Sequence, residues 1–520
     1  MTDGFDLQTD VLVLGGGMAG AWAAIGARRA GAAVVLVEKG WVGTSGVTAT
    51  AGPGHWWVPP ADRPAAIARR LAQSGGLNQA DWMQAILETT WDNLPTLADV
   101  YDFPRDDQGV PRYRALRGPE YMRALRRKMQ ALGVTIIDHA AAQGLLRHGD
   151  GSIGGARGLR VPSGAPWRVA AGAVVIATGG TAFRSHLLGA HNNTGDGYLM
   201  AVEAGAQLSG MEFTSVFCVA PARTTMTRTM SFAFATYYDA DGAVLPIGGP
   251  DITRPLAQAL RRGPVYADLS RTPADIRQRV PTISPNFMLP FHRWGIDPYQ
   301  DRFPVTLYGE GTIRGIGGIA VETRDCATAV PALFVAGDAA TRERVAGAIS
   351  GGGNINSAWA LSSGLWAGRG AARHAATVRR VDGGDPPPAP EPTSNPASGP
   401  ASNLGGQRAE ILAQVQRVML SYDSGLWRDG ATLRADLAGL NDAWQQLGQA
   451  RGDIAGRELM AMLATARLSL TAALARRESR GIHQRLDYPE TDPAQARRIR
   501  IGGLTHPVAT PEPNPLELTA

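Results

Sequence analysis

The chain has 520 residues, 44% of them hydrophobic, and 51 Lys and Arg against 46 Asp and Glu give it a formal charge of +5. This length allows two or three domains around a sizeable core, and the basic residues are scattered among acidic ones without a stripe interleaved with aromatics, which excludes a nucleic-acid-binding surface. No run approaches the roughly 18 uninterrupted apolar residues of a membrane span, and the opening MTDGFDLQTD is acidic where a signal peptide is basic and then apolar, so a cytoplasmic protein is expected.

Cysteine usage narrows the chemistry further. Cys218 and Cys326 are the only two, too few for the roughly four ligands of an iron–sulfur cluster and too far apart for a redox C-x-x-C pair. The nine histidines show no metal-ligand spacing. Electrons passing through this chain must travel by an organic cofactor.

Residues 11–40, VLVLGGGMAGAWAAIGARRAGAAVVLVEKG, read as strand, glycine-rich turn, helix, strand and acid. The run from Val11 to Leu14 is short and apolar, as a strand buried on both faces should be. Gly15, Gly17 and Gly20 supply the G-x-G-x-x-G spacing of a dinucleotide-binding βαβ unit. Gly15 serves the tight turn, Gly17 lets a pyrophosphate approach the helix N-terminus, and Gly20 lets helix pack on strand. Glu38 ends the second strand, where a carboxylate accepts hydrogen bonds from an adenosine ribose and repels a 2′-phosphate.

Residues 61–135 read as mainly helical, and 118–146 as a helix followed by a strand. A buried strand, Val174 to Ala177, then ends in Ala177-Thr178-Gly179-Gly180, a return to the first sheet that points to an FAD-type fold and away from a simple NAD domain. A third return, Leu333 to Ala336, places Asp338 just past a strand's carboxyl end, where ligands of parallel sheets bind. The fold expected is α/β: a Rossmann-like FAD-binding domain (1–204 and 306–380) with an inserted α+β capping domain (205–305) and a C-terminal helical domain (407–490). A Pro/Ser/Gly-rich linker is expected over 381–406, and a C-terminal tail over 491–520, poorly ordered after Pro507.

Taken in order, seven segments resemble the flavoprotein subunits of the fumarate reductase and succinate dehydrogenase family, which includes L-aspartate oxidase and the α subunit of adenylylsulfate reductase. They are GGGMAG with Glu38, SGVTATAGPG (45–54), ATGG (177–180), NNTGDGYLMAVEAGAQLSGMEF (192–213), GGIAVETRD with VPALFVAGDAA (317–340), GGGNINSAWALSSGLWAGR (351–369) and RRESRGIHQRLDYPETDP (476–493). The resemblance covers nearly the whole chain apart from the linker and tail.

What it implies is an FAD site formed by Gly15, Gly17, Met18, Ala19, Gly20, Glu38, Lys39, Ser45, Thr48, Ala177, Thr178, Gly179, Asp196, Gly337, Asp338, Asn356 and Ser357. Ser45 is expected near the flavin ring, with Glu38 and Asp338 on the adenosine ribose and the ribityl hydroxyls. Asp196 reads equally as a flavin-facing residue or as a plain N-cap. The glycine loop before Asn356 and Ser357 turns into a helix whose N-terminus is expected to face the flavin pyrimidine oxygen. The segment around Glu478, Arg480 and His483 packs the helical domain against the cap.

Two departures stand against these matches. Where respiratory members attach FAD through a histidine in an S-H-T type motif, this chain reads Thr44-Ser45-Gly46-Val47-Thr48, with His55 too far along to substitute, so non-covalent FAD is expected. The H-P-T, R-G-E-G-G and H-Y-x-M-G-G motifs of dicarboxylate-handling relatives correspond here to EFTSVFCVAPA (212–222), RTMSFAFATYY (228–238) and GTIRGIGG (311–318). Arg254, in DITRPLAQAL (251–260), aligns with the relatives' proton-transferring cap arginine and reads either in that role or as an electrostatic anchor for an anionic substrate, and Arg314 stands near the lost histidine as an anion-binding donor.

The expected function is that of a soluble FAD-dependent oxidoreductase, moving a hydride between flavin N5 and a substrate carbon next to an electron-withdrawing group, on a small molecule other than a simple C4 dicarboxylate. Three alternatives stand beside it: an α-like subunit working with an iron–sulfur or other electron-transfer partner, an oxygen-reducing oxidase, and a catalytically silent flavin-binding protein. The aromatics Trp56, Trp57, Phe232, Phe234, Tyr237 and Tyr238 tilt the expectation toward a substrate larger and less polar than fumarate.

Overall fold

The computed structural model describes residues 4–114, 116–214, 216–225, 231–249, 251–377, 404–447 and 453–513. Strand β1 (Phe5–Leu14) runs through the glycine turn into α1 (Met18–Arg29), and β2 (Val34–Val37) follows. Helices α2 (Arg63–Gln73), α3 (Ala80–Asn93) and α4 (Gly118–Ala131) lead to β3 (Thr135–Ile137), and β4 (Ala140–Arg147) and β5 (Ile153–Arg160) turn back into β6 (Pro166–Ile176). Next come α5 (Asp196–Glu203) and β7 (Leu208–Ser209). A layer with its own core follows: β8 (Phe217–Pro221), β9 (Thr236–Tyr238), β10 (Val244–Leu245), α6 (Thr253–Arg262), β11 (Val265–Asp268), α7 (Ala274–Ile283), α8 (Pro285–Trp294) and β12 (Phe303–Gly309). The chain returns through β13 (Gly318–Ile319), β14 (Leu333–Val335), α9 (Glu343–Ala346) and α10 (Gly352–Thr377). Helices α11 (Leu404–Leu420), α12 (Tyr422–Leu426), α13 (Gly430–Leu447) and α14 (Ile454–Ala475) precede β15 (Ile499–Gly502) and β16 (Val508–Pro511).

The register of the main sheet positions everything that follows. β1 pairs in parallel with β2 and β6, β2 with β3, and β6 with β14. Leu14 stands beside Val37 and Ile176, and Ile176 beside Val335, so four strands end level with one another. Their last residues are buried on both faces, and a glycine, an alanine or Glu38 follows each, so the pattern that makes the strands also stops them together.

Helix α10 crosses α1 with almost no space between them. A Cβ on Gly364 would come 2.5 Å from the Ala19 carbonyl oxygen, and one on Gly368 would come 2.0 Å from that of Ala23. Glycine at these positions lets the helices approach closely and delivers the first turn of α10 to the level strand ends. The inserted layer is a five-stranded antiparallel sheet in the order β10-β9-β11-β12-β8, packed by Phe232, Leu256, Phe287, Phe291 and Phe303.

The region expected to be a tail contains structure. Ile499 and Ile501 are buried, and β15 and β16 complete a four-stranded sheet with β7 and β13. Most of the expected linker, 381–403, lies outside the described residues, and 404–406 open α11. Helix α14 is long and apolar enough to cross a membrane by length and composition, and most of it is buried inside the fold. It packs against α13 and α11 around Leu440, Leu459 and Leu463. Replacing Gly368 by Val should destabilise the protein by about 1–3 kcal/mol through overpacking at the α1–α10 crossing, measured as a lower midpoint in urea unfolding.

Candidate functional site

A cavity of about 620 Å³ opens over the four level strand ends, within the size range of small-molecule and cofactor sites. The glycine turn forms its floor. Gly15 has φ +101°, and a Cβ there would sit 2.5 Å from the Ala177 carbonyl oxygen; one on Gly20 would sit 1.8 Å from that of Gly15. Gly17 differs from both, since a Cβ on it would meet nothing within 4 Å. It lines the cavity as the N-cap of α1 and carries no side-chain cap, so the free N–H groups of the helix N-terminus are left for a ligand. Gly20 is absent from the lining, and its role is the close packing of α1 on β1.

Glu38 lines the cavity and fixes the turn. Its Oε2 accepts from Gly16 N at 2.6 Å and its Oε1 from Gly40 N at 2.7 Å. Lys39 also lines the wall, but its ammonium is engaged by Thr194 Oγ1 (2.8 Å), Asp196 Oδ2 (2.7 Å) and Glu458 Oε1 (2.8 Å). Burial works against that charge, yet Asp196 and Glu458 outweigh it and raise the lysine pKa above its ordinary value. Asp196 is not an N-cap: Gly195 holds that position in the left-handed region, and Asp196 accepts from Lys39 and from the Thr194 hydroxyl at 3.0 Å.

On the opposite side, Gly337 donates to Ser363 Oγ (3.0 Å) and accepts from Trp359 Nε1 (3.0 Å), which pins the end of β14 to α10. Asp338 pairs with the buried guanidinium of Arg342, whose Nη2 also donates to the carbonyl oxygens of Ile313 (3.0 Å) and Gly315. Two polar atoms of lining residues, Thr178 Oγ1 and Asn356 Oδ1, are buried without a partner. Such atoms are costly unless a ligand or water satisfies them. With the open face at Gly17, they fit a long polar cofactor such as FAD.

Several expectations need correction. Ser45 does not line the cavity; its Oγ accepts from Trp41 N at 2.9 Å, and Gly46, Val47 and Thr48 form the wall beside it. Helix α10 begins at Gly352, one turn before Asn356, so Asn356 and Ser357 contribute side chains while the open N–H groups belong to the preceding turn. Arg254 sits on α6 outside the cavity wall, and the cap reaches the cavity through Val280 and Ser284 at the α7–α8 junction. The expected aromatics do not line it either, and Phe232 and Tyr237 belong to the core of the cap. Asn192, Asn193, Pro53, Gly54, Val280 and Ser284 were not anticipated; the first four lie inside quoted motifs, and the last two carry no sequence signal.

Arg314 does line the cavity. Its Nε donates to both oxygens of Glu310 (2.9 and 3.0 Å), and its Nη2 to Glu310 Oε1 (2.5 Å) and Cys218 Sγ. Burial opposes its charge, but Cys218 and Glu310 overcome it and hold the guanidinium pKa above its ordinary value. Arg314 is therefore a fixed positive charge and not a proton donor. Among the described residues, no histidine, cysteine or tyrosine lines the cavity. His55 is buried, its Nε2 3.4 Å from Tyr121 Oη, and burial depresses its pKa to about 3.

Behind the Arg314 loop lies a second charged group. Glu212 and Glu343 are both fully buried, and each keeps one unpartnered oxygen. Glu212 Oε1 accepts from Arg476 Nε (2.7 Å), and Arg476 in turn binds Glu478 (2.8 Å). Burial first and the Glu212 carboxylate second push Glu343 up to about 7, against the Ser209 hydroxyl and the guanidinium groups of Arg498 and Arg476. Because this folded pKa lies above the ordinary 4.5, Glu343 contributes its full stabilisation below about pH 4.5 and loses it as pH rises to about 7. In Glu343→Gln, thermal melts across this range should lack that falling component, while wild type shows it.

Comparison with known proteins agrees with this geometry. Residues 10–230 match the family described as FAD binding domain, and residues 414–502 match the fumarate reductase flavoprotein C-term family. The L-aspartate oxidase of Mycobacterium leprae is 30% identical over 541 residues, covering 95% of each chain. A fumarate reductase (CoM/CoB) chain of Methanothermobacter marburgensis is 26% identical, covering 96% of this chain and 98% of its own. Among solved structures, Mycobacterium smegmatis Sdh1 superposes with a TM-score of 0.77 at 25% identity, covering 97% of this chain and 94% of its own. The chain thus belongs to the fumarate reductase and succinate dehydrogenase flavoprotein family and is an FAD-dependent oxidoreductase.

Proposed function

We propose that this protein holds FAD non-covalently and oxidises or reduces a small molecule at a carbon next to an electron-withdrawing group, the substrate not being a simple C4 dicarboxylate. The observation that carries the reading is the cavity over four level strand ends, whose described lining includes unpartnered polar atoms and no histidine, cysteine or tyrosine to form a covalent link. When bound, FAD supplies a hydride acceptor or donor at its N5.

The chain's own residues provide the remainder. The N-terminus of α1 at Gly17 and Met18 would hold the pyrophosphate, and the remaining lone pairs of Glu38 the adenosine ribose. Thr178 and Asn356 would give their free oxygens to cofactor donors, and Arg342 keeps Asp338 oriented. Arg314, fixed in charge by Glu310, would orient an anionic or electron-withdrawing group and stabilise negative charge developing on it. Electrons leaving or entering would pass to a separate acceptor or an electron-transfer partner, since two free cysteines cannot ligate a cluster in this chain.

Two measurements test this. Acid precipitation of the purified yellow protein should leave a colourless pellet with all flavin in the supernatant; flavin retained in the pellet overturns the non-covalent reading. Gly17→Val should leave folding intact, because the added side chain enters open space, yet lower FAD affinity about tenfold or more in a fluorescence titration.

A further inference from the structure

The charged side chains around the cavity are unequally available to a ligand. Lys39 has three N–H donors, and Thr194, Asp196 and Glu458 take one each. Asp338 is engaged by Arg342, and each carboxylate oxygen of Glu38 accepts a backbone N–H. Of the two lining cations, Arg314 is the one with donors to spare. Its Nε and Nη2 are engaged by Glu310 and Cys218, while Nη1 makes no hydrogen bond with the described residues. A guanidinium Nη carries two N–H donors, so this cavity-lining residue keeps two donors without a partner among the described residues.

The same cavity also has apolar and neutral lining. Val47 and Ile313 line the cavity from the flavin-binding side, and the cap contributes Val280 and Ser284, neither of them charged. From this arrangement we infer that the substrate is a monocarboxylate with an apolar body, its carboxylate end-on at Arg314 Nη1 and its hydrocarbon against Val47, Val280 and Ile313. A dicarboxylate needs a second cationic grip. The described residues of the wall offer none with donors to spare, and a carboxylate buried without a partner carries a heavy desolvation penalty. The inference rests on the proposed reading of the cavity as the joint flavin and substrate site.

The test uses the FAD-loaded protein and the flavin's visible absorbance as the reporter of binding. Titration with butyrate, hexanoate and octanoate should perturb the spectrum with affinity rising along the series. Succinate and hexanamide should bind about tenfold or more weakly than hexanoate, the first for want of a second cation and the second for want of charge. Arg314→Gln deprives the buried Glu310 carboxylate of the Arg314 guanidinium, so the double variant Arg314→Gln/Glu310→Gln, which removes both charges together, is the cleaner probe. It should bind hexanoate and hexanamide equally while its FAD affinity stays unchanged.

Succinate binding as tightly as hexanoate overturns the inference, as does a double variant that keeps its preference for the carboxylate. A double variant that loses FAD instead places Arg314 on the cofactor and also overturns it. Wild-type protein that binds no FAD at all defeats the underlying flavin reading, an outcome separate from the other three.

Discussion

The guanidinium of Arg342, only 1% exposed, ties together two segments that also meet through backbone hydrogen bonds, Arg342 N to Ile316 O and Thr341 N to Ile319 O. It binds the Asp338 carboxylate at the end of β14 and the carbonyl oxygens of Ile313 and Gly315 in the loop that carries Arg314. A buried cation with three oxygen partners, and with its Nε already unpartnered, depends on all of them staying in place. Removing one side of such a pair leaves an uncompensated charge at a cost of about 3–5 kcal/mol. Together with the Tyr198 hydroxyl, which donates to the Asp338 carbonyl oxygen at 2.8 Å, Arg342 braces this side of the cavity from outside the lining. Asp338 and the backbone on either side of Arg314 are thus held by the same group.

A second consequence follows from the pairing of charges in the wall. Glu38, Lys39, Asp196, Arg314 and Asp338 all line one cavity, yet each has a counter-charge or backbone donors committed to it. In a low-dielectric site this matters more than the sum of charges, because an unpaired group there is expensive and a paired one is a fixed dipole. Selectivity then depends on which donors or acceptors remain after pairing. The open Nη1 of Arg314 and the free oxygens of Thr178 and Asn356 are such remainders.

How much of this was legible from the sequence depends on whether the signal was local. The floor was: Gly15, Gly17 and Glu38 act within one βαβ unit, and their spacing alone fixes the turn, the helix start and the acid. The two returns to the first sheet were legible because each strand is followed by a short motif, Ala177-Thr178-Gly179 or Gly337-Asp338, that has no purpose inside a strand. Ser45 was misplaced because a single turn around Trp41 decides which residue of the 44–48 run faces inward. The start of α10 was set one turn late because glycines at 352 and 353 read as loop while helix N-termini tolerate them. The cap wall could not be read at all, since Val280 and Ser284 are ordinary residues made relevant only by where α7 meets α8. Arg314 could be named but not understood, because its charge is fixed by Cys218, almost a hundred residues earlier, and by Glu310.

The pairing of Lys39 with Glu458 bears on how the protein is made. The two residues are 419 positions apart, and Glu458 lies on α14, near the end of the chain. During synthesis the N-terminal βαβ unit leaves the ribosome first and can form its turn alone, but the wall around Lys39 is finished only after α14 has emerged and docked. Until then the lysine lacks one of its three acceptors. The last acceptor of Lys39 is thus among the late-arriving parts of the wall, and a chain that stops short of α14 lacks it.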